Sequence, residues 1–506
     1  MAPLNTDLDA NSKRSDLFGK IKETYKGLPL PAKASVWFTI CNFILKGISF
    51  ISGPLFTRLL VPEEYGTLSV FISYEQFILI LATWEIQLGA YQKGIFKYKD
   101  DVNFFTTASQ ALINILTVGF FLIVFLFHKT VSRFTGMPVT ILLLLFVYLL
   151  VCPAYYEWLT RKRKAYDYKA GVTLTLLYSI VNVLLPMGAL LVFERTANVK
   201  FSFTLIGSSV ICLFFFVKHM DYWKIPGRWE QTKQYWKYCL VFEGPLVFHS
   251  LSYLILAQAD RVMIRELIGS RQAAFYSVAH TIAGVVIIFQ SSINVSLSPW
   301  RYQMLEDKNY GAVKKVTSEL LVAFWVMITL FILFVPEMMK IIFPIEYFEA
   351  VWCIPPVSSG VFFIFLYSIF VNIEEYYERT TYVVYVSVTC GIINIVLNYC
   401  FINIFGYIAC AYTTLFSYML FAAGHYYFMR KTLKMAQVKE DVVNGKVILM
   451  ISGLVILCSV LATILYKMPY IRYGLLLSGA TILFIKRKEI TNAYKQIKKR
   501  ENTANI

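Results

Sequence analysis

Long apolar stretches follow one another along almost the whole chain, parted by short polar segments, and each is long enough to cross a bilayer as a helix. The pattern predicts roughly 14 spans, at 36–60, 66–90, 107–127, 139–158, 172–193, 201–217, 238–260, 273–297, 320–343, 351–373, 382–402, 407–429, 446–466 and 469–485. Almost nothing is left for a soluble domain, so the expected class is an all-α polytopic membrane protein.

Composition agrees with that class. Of the 506 residues, 58% are hydrophobic, 17% aromatic and only 16% charged, which suits helices dissolved in lipid. The first 35 residues are polar and basic, and no small-residue cleavage site follows a short apolar core, so the first span should act as an uncleaved anchor. Cys41, Cys152, Cys212, Cys239, Cys390, Cys400, Cys410 and Cys458 fall within or at the edge of apolar spans and Cys353 sits near an external loop, which is no disulfide framework. The five histidines are scattered without metal-ligand spacing, and no metal is expected.

Charge adds orientation. A net charge of +17 would suggest nucleic acid in a soluble protein; here, with the N-terminus inside, roughly three-quarters of the 48 Lys and Arg fall on the cytoplasmic side. The densest runs, Arg161 to Lys164, Arg430-Lys431, Lys486 to Lys488 and Lys498 to Arg500, report topology and contact with anionic headgroups rather than RNA or DNA. Both termini should lie in the cytoplasm. In the basic N-terminal segment, 1–35, Leu17, Phe18, Ile21, Tyr25 and Leu28 recur at helical spacing among lysines, as in a helix on the inner membrane surface or simply a solvated tail.

A cytoplasmic linker at 218–237, with Trp223, Trp229, Trp236 and Pro226-Gly227, divides the chain near its middle. Shifting the sequence by 208 positions lays Leu59-Leu60, Ser69 and Val70 over Leu267-Ile268, Ser277 and Val278. The division yields an N-lobe of six spans at 36–217 and a C-lobe of six at 238–429, then a basic loop at 430–445, two further helices at 446–485 and a basic cytoplasmic tail at 486–506. An even span count per half preserves orientation and predicts parallel repeats facing a central cavity. Composition alone also allows a 14-span bundle without a pore.

Local residues sharpen the reading. The run from Pro54 through Pro62-Glu63-Glu64-Tyr65-Gly66 to Ser69 resembles the first-span signature of the polysaccharide flippases in the multidrug/oligosaccharidyl-lipid/polysaccharide exporter superfamily. In the second half, Gly244-Pro245-Leu246, Ser250-Leu251-Ser252, Gln258 to Ile264 and Tyr276 to Ala279 look like the matching opening of that family's second lobe. Pro344-Ile345-Glu346-Tyr347 departs from it, where the family usually shows a Gly before the aromatic residue. The resemblance implies transport of a polyprenyl-pyrophosphate-linked oligosaccharide from the inner to the outer leaflet of a bacterial plasma membrane, for capsule, O-antigen, exopolysaccharide or teichoic-type polymers. It also implies partnership with polysaccharide assembly proteins.

Such a substrate calls for cationic side chains in a wet cavity. Lys46 sits near the middle of the first span, where an uncompensated charge costs on the order of 2.5–3.5 kcal/mol. It is the first substrate-binding candidate, the alternative being a structural lysine paired with Glu75 or Glu85. Arg58, about three turns further on, is either a second such residue or an interfacial anchor. Arg261 is the candidate in the other half. Its neighbour Asp260 cannot face it on one helix, so each should find another partner, as an interlobe gate or in a structural network. Glu75, Glu85 and Asp260 are candidates for a coupling proton or sodium ion, or for neutralising a nearby cation. On an ideal helix Glu75 and Glu85 stand about 100° out of phase. Glu157 reads as a marker of the inner interface and Glu243 as a helix-start acid or a gate residue.

The expected mechanism is alternating access by rocking of the two lobes, with bending at Pro54, Gly244 and Pro245. No cofactor is expected. Energy would come from a proton or sodium gradient or from consumption of product outside, since no Gly-rich phosphate loop ending in Lys-Ser or Lys-Thr is present. Two rivals remain: a drug/cation antiporter of the same superfamily, which should hold acidic rather than basic residues in its cavity, and a polysaccharide polymerase or glycosyltransferase, which should carry a larger external loop.

Overall fold

The computed structural model describes residues 27–219, 221–378 and 381–485. The surface helix expected around Leu17, Phe18, Ile21 and Tyr25, and the basic tail at 486–506, lie outside the described residues. Among those residues there is no strand, only helices and short turns. In the first half these are α1 (Leu30–Thr57), α2 (Pro62–Thr83), the short α3 (Ala90–Lys97), α4 (Val102–Leu126), the short α5 (His128–Thr135), α6 (Val139–Lys164), α7 (Tyr168–Val192) and α8 (Ala197–His219). The second half holds α9 (Trp229–Leu267), α10 (Ser270–Glu306), α11 (Tyr310–Ile342), α12 (Ile354–Tyr376), α13 (Thr381–Phe405), α14 (Ile408–Met435), α15 (Gly445–Leu465) and α16 (Pro469–Ile485).

A helix stands at every one of the predicted spans. Among the described residues, twelve helices are long and apolar enough on their own to cross a membrane. The other two spans are filled by α14, whose apolar run is interrupted by Thr413, Thr414, Ser417 and His425, and by α16, which is 17 residues long. On α1, Val36, Trp37, Ile40, Phe43, Ile44 and Ile51 are exposed at helical spacing, which in this chain marks a face turned to lipid. The chain is a multi-pass membrane protein.

Its helices form two compact units. One takes the chain up to Ser52 and then Ile78–Pro245; the other takes Gly53–Phe77 and everything from Leu246 onward. The linker is shorter than the polar run suggested, because α9 already begins at Trp229 and continues unbroken through Gly244-Pro245.

The core of the first unit gathers α3, α4 and the start of α9, with Tyr91 stacked on Phe105 at 5.8 Å between ring centres and Tyr235 edge-on to Phe105 at 5.2 Å. The second predicted span is not one helix. It stops at Thr83, passes through Trp84 and Glu85 in left-handed backbone (φ 53° and 54°) and restarts at Ala90. Left-handed conformations cost of order 1–3 kcal/mol for such residues and persist only where surroundings impose them. Here the Thr83 hydroxyl accepts the Glu85 amide at 3.2 Å, and the Glu243 carboxylate accepts the amide of Ala90, the first residue of α3. Glu243 is thus neither a helix-start acid of its own helix nor exposed; it satisfies an orphan donor of another helix. A Cβ on Gly89 would lie 1.9 Å from its Oε1, so the docking needs glycine there.

In the second unit, α2 starts at Pro62 and α10 at Ser270, the 208-residue offset seen in the sequence. The two starts pack against each other. A Cβ on Gly66 would sit 1.7 Å from the Ser270 carbonyl oxygen, and Thr67 Oγ1 donates to Ser270 Oγ at 3.2 Å. Gly66→Ala must push two backbones apart and is expected to destabilise the protein by about 2 kcal/mol despite the better helix propensity of alanine. Gly119→Ala, where a Cβ meets nothing within 4 Å, should be neutral or stabilising; paired melting curves in one detergent check both.

Candidate functional site

Asp260, on α9, is fully buried and accepts three side-chain hydrogen bonds. Its Oδ1 accepts from Asn398 Nδ2 at 2.5 Å; its Oδ2 accepts from Thr414 Oγ1 at 2.8 Å and from the Tyr276 hydroxyl. The network continues outward. Asn398 Nδ2 also reaches Asn394 Oδ1 at 3.2 Å, the Thr413 hydroxyl donates to Asn398 Oδ1, and Asn394 Nδ2 donates to Thr414 Oγ1 at 3.2 Å and Ser417 Oγ at 3.3 Å. The geometry follows from helical spacing. Asn394 and Asn398 lie four apart on α13, and Thr413, Thr414 and Ser417 share a stretch of α14, so two polar faces meet around one acid brought in by α9.

Arg261 turns elsewhere, as adjacency on a helix requires. Its Nη1 donates to the Ala257 carbonyl at 2.8 Å and to Gln258 Oε1. Gln258 in turn accepts from Ser73 Oγ and donates to Gln76 Oε1, both at 3.2 Å, so Arg261 belongs to a polar seam between α2 and α9. No direct Asp260–Arg261 pair forms among the described residues.

The other candidates are not gathered at one point. Lys46 is half-buried, midway along α1 and within the first unit; Arg58 is exposed at the far end of the same chain segment, in the second unit, with Nη1 3.5 Å from the Pro54 carbonyl. Glu75 is half-buried on α2 in the second unit, whereas Glu85 is half-buried in the break after Thr83, in the first. Their ten-residue offset is therefore not an angle on one helix, because the left-handed residues interrupt the helical phase. Pro54 and Pro245 lie inside α1 and α9.

A family model described as polysaccharide biosynthesis protein matches residues 32–305, more than half of the chain. The chain belongs to that family. One curated relative is the "Lsg locus putative protein 1" of Haemophilus influenzae, 23% identical over 377 residues, covering 71% of this chain and 88% of the relative. Among solved structures the fold is similar to that of the "Lipid II flippase MurJ, inward closed conformation" (TM-score 0.63, 12% identity, 90% of this chain and 100% of the other). It is also similar to an inward-facing multidrug resistance MATE family transporter of the MOP superfamily (TM-score 0.59, 13% identity, 80% and 100%). At these identities the likeness establishes the fold.

This polysaccharide biosynthesis protein also holds buried polar groups that sequence reasoning passed over. Arg301 is 2% exposed in the long α10, donating from Nη1 to Asn372 Oδ1 at 2.6 Å. His425 Nδ1 and Glu374 Oε1 lie 3.1 Å apart, both fully buried. Arg301 lies beyond the predicted span 273–297, where the helix nevertheless continues to Glu306. For the Asp260 network a signal did exist: Asn394 and Asn398 at i, i+4 within an apolar span, a spacing that puts both amides on one face. The departure at Pro344 to Tyr347 has a structural counterpart too, since Tyr347 is buried and its hydroxyl donates to the Leu60 carbonyl at 2.9 Å within the first-span signature.

Proposed function

We propose that this protein flips a polyprenyl-pyrophosphate-linked oligosaccharide from the cytoplasmic to the outer leaflet of a bacterial plasma membrane, by alternating access, for cell-surface polysaccharide synthesis. The family match over residues 32–305 carries the reading. A lysine in the middle of α1 supports it, since a pyrophosphate needs a cation and an intramembrane lysine is kept where water or an anion receives it. Lys46 is the first residue for the pyrophosphate, with Arg58 and Arg261 as further cationic contacts. Asp260 is the coupling-ion residue, and Glu75 and Glu85 are secondary carboxylates. Bending occurs at Pro54 and at Gly244-Pro245, where the border between the two compact units crosses α1 at Ser52/Gly53 and α9 at Pro245/Leu246. Both termini are cytoplasmic, and the basic loops contact anionic headgroups. The chain works with polysaccharide assembly proteins and without nucleic acid.

The likeness to MATE transporters favours one second reading, a drug/cation antiporter. Proteoliposomes separate the two. With lipid-linked oligosaccharide extracted from the producing strain, an impermeant sugar-modifying probe should reach the glycan in the opposite leaflet only when protein is present. Protein-independent exposure, together with ion-driven uptake of an organic cation, would replace the flippase by the antiporter.

A further inference from the structure

The polar seam between α2 and α9, inside the second unit, holds its arginine by one corner only. A guanidinium has five N–H donors and no acceptor. Both hydrogens of Arg261 Nη1 are placed, one on the Ala257 carbonyl at 2.8 Å and one on Gln258 Oε1. Nε and Nη2 have no partner among the described residues, and the residue is half-buried rather than sealed. Neither acceptor is a carboxylate. Arg261 therefore keeps a whole positive charge, together with the planar Nε–Nη2 edge that fits two oxygens of a phosphate.

Gln258 fixes that corner. Because the guanidinium only donates, the Gln258 amide must turn its oxygen to Arg261 and its nitrogen away, and that nitrogen donates to Gln76 Oε1 of α2 at 3.2 Å. Ser73 Oγ, also on α2, brings a second donor to Gln258 Oε1 at 3.2 Å. The orientation of the amide is thus set from a second helix. A neutral amide does this without cancelling the charge it holds. A carboxylate in its place would hold the arginine as firmly and neutralise it, as Glu337 of α11 does for Arg472 of α16, which is 2% exposed.

We propose that Gln258 is a positioning residue: it anchors Arg261 through Nη1 while leaving it charged, so that the Nε–Nη2 edge receives a phosphoryl group of the cargo. The inference rests on the flippase reading and adds the reason why an amide, and not an acid, stands beside Arg261. Gln258 acts through Arg261 and touches no cargo itself. Gln76 supports it by keeping the amide oxygen on the guanidinium.

Binding of inorganic pyrophosphate to the full chain in lipid nanodiscs, followed by phosphorus NMR, tests this beside the initial rate of glycan exposure in proteoliposomes. Gln258→Glu should weaken binding and slow flipping as much as Arg261→Gln does, by about tenfold, with a melting temperature at or above that of wild type, because the bond to Arg261 is kept and strengthened. A merely structural glutamine would give the reverse, a stable variant with both functions intact. Gln258→Ala removes the anchor but not the charge and should cost about threefold in binding, which keeps the test open if Gln258→Glu does not fold. Wild-type affinity for pyrophosphate in the folded Gln258 variants, affinity that Arg261→Gln leaves untouched, or no binding by wild type overturns the proposal. Binding that falls as expected in a protein that exposes no glycan overturns the cargo reading alone and keeps Gln258 as the anchor of a free cation.

Discussion

Asp260→Ala is expected to lower the stability of the purified protein by about 3 kcal/mol and to remove any response of transport to a sodium or proton gradient. The truncation strands the Tyr276 hydroxyl, the Asn398 amide and the Thr414 hydroxyl at once, all three of them buried. A membrane-buried hydrogen bond is worth only about 0.6 kcal/mol on average, but an unmatched buried donor costs about 1–3 kcal/mol, so stranding rather than lost bonding sets the size. Asp260→Asn keeps an acceptor oxygen and should recover more than half of the stability while leaving the gradient response abolished. Melting curves and counterflow assays on the same preparations check the two effects separately. Equal stability of the alanine variant and wild type would show that the network carries no strain-sensitive contacts.

Lys46→Ala is expected to reduce flipping on the order of 100-fold, the equivalent of about 2.8 kcal/mol of lost interaction with the pyrophosphate, within the cost range of a mid-membrane charge. The residue is half-buried, midway along α1 and beside an exposed apolar stripe. Lys46→Arg should retain most activity because guanidinium serves a phosphate at least as well. The initial rate of glycan exposure in proteoliposomes is the readout. A wild-type rate in Lys46→Ala would move the anion site to Arg58 or Arg261 while leaving the transport reading in place.

The spans, the class and the family were legible in the chain itself. Each of the predicted apolar runs is helical, the second with a break after Thr83, because transfer of a segment into lipid is a sum over its own residues and needs no distant partner. The 208-residue offset was legible for a related reason: the starts at Pro62 and Ser270 are set by local turn chemistry. Tertiary structure decided everything that depends on which helices meet. The break after Thr83 exists because Glu243, far along the chain, receives the amide of Ala90. Asp260 became a hub because α10, α13 and α14 bring donors to it. Glu157, an interface marker by sequence, turned out fully buried, with the Ser109 hydroxyl of α4 beside it. Hydropathy is additive along a chain, whereas the satisfaction of a buried polar group is a property of pairs, and pairs form only in the fold.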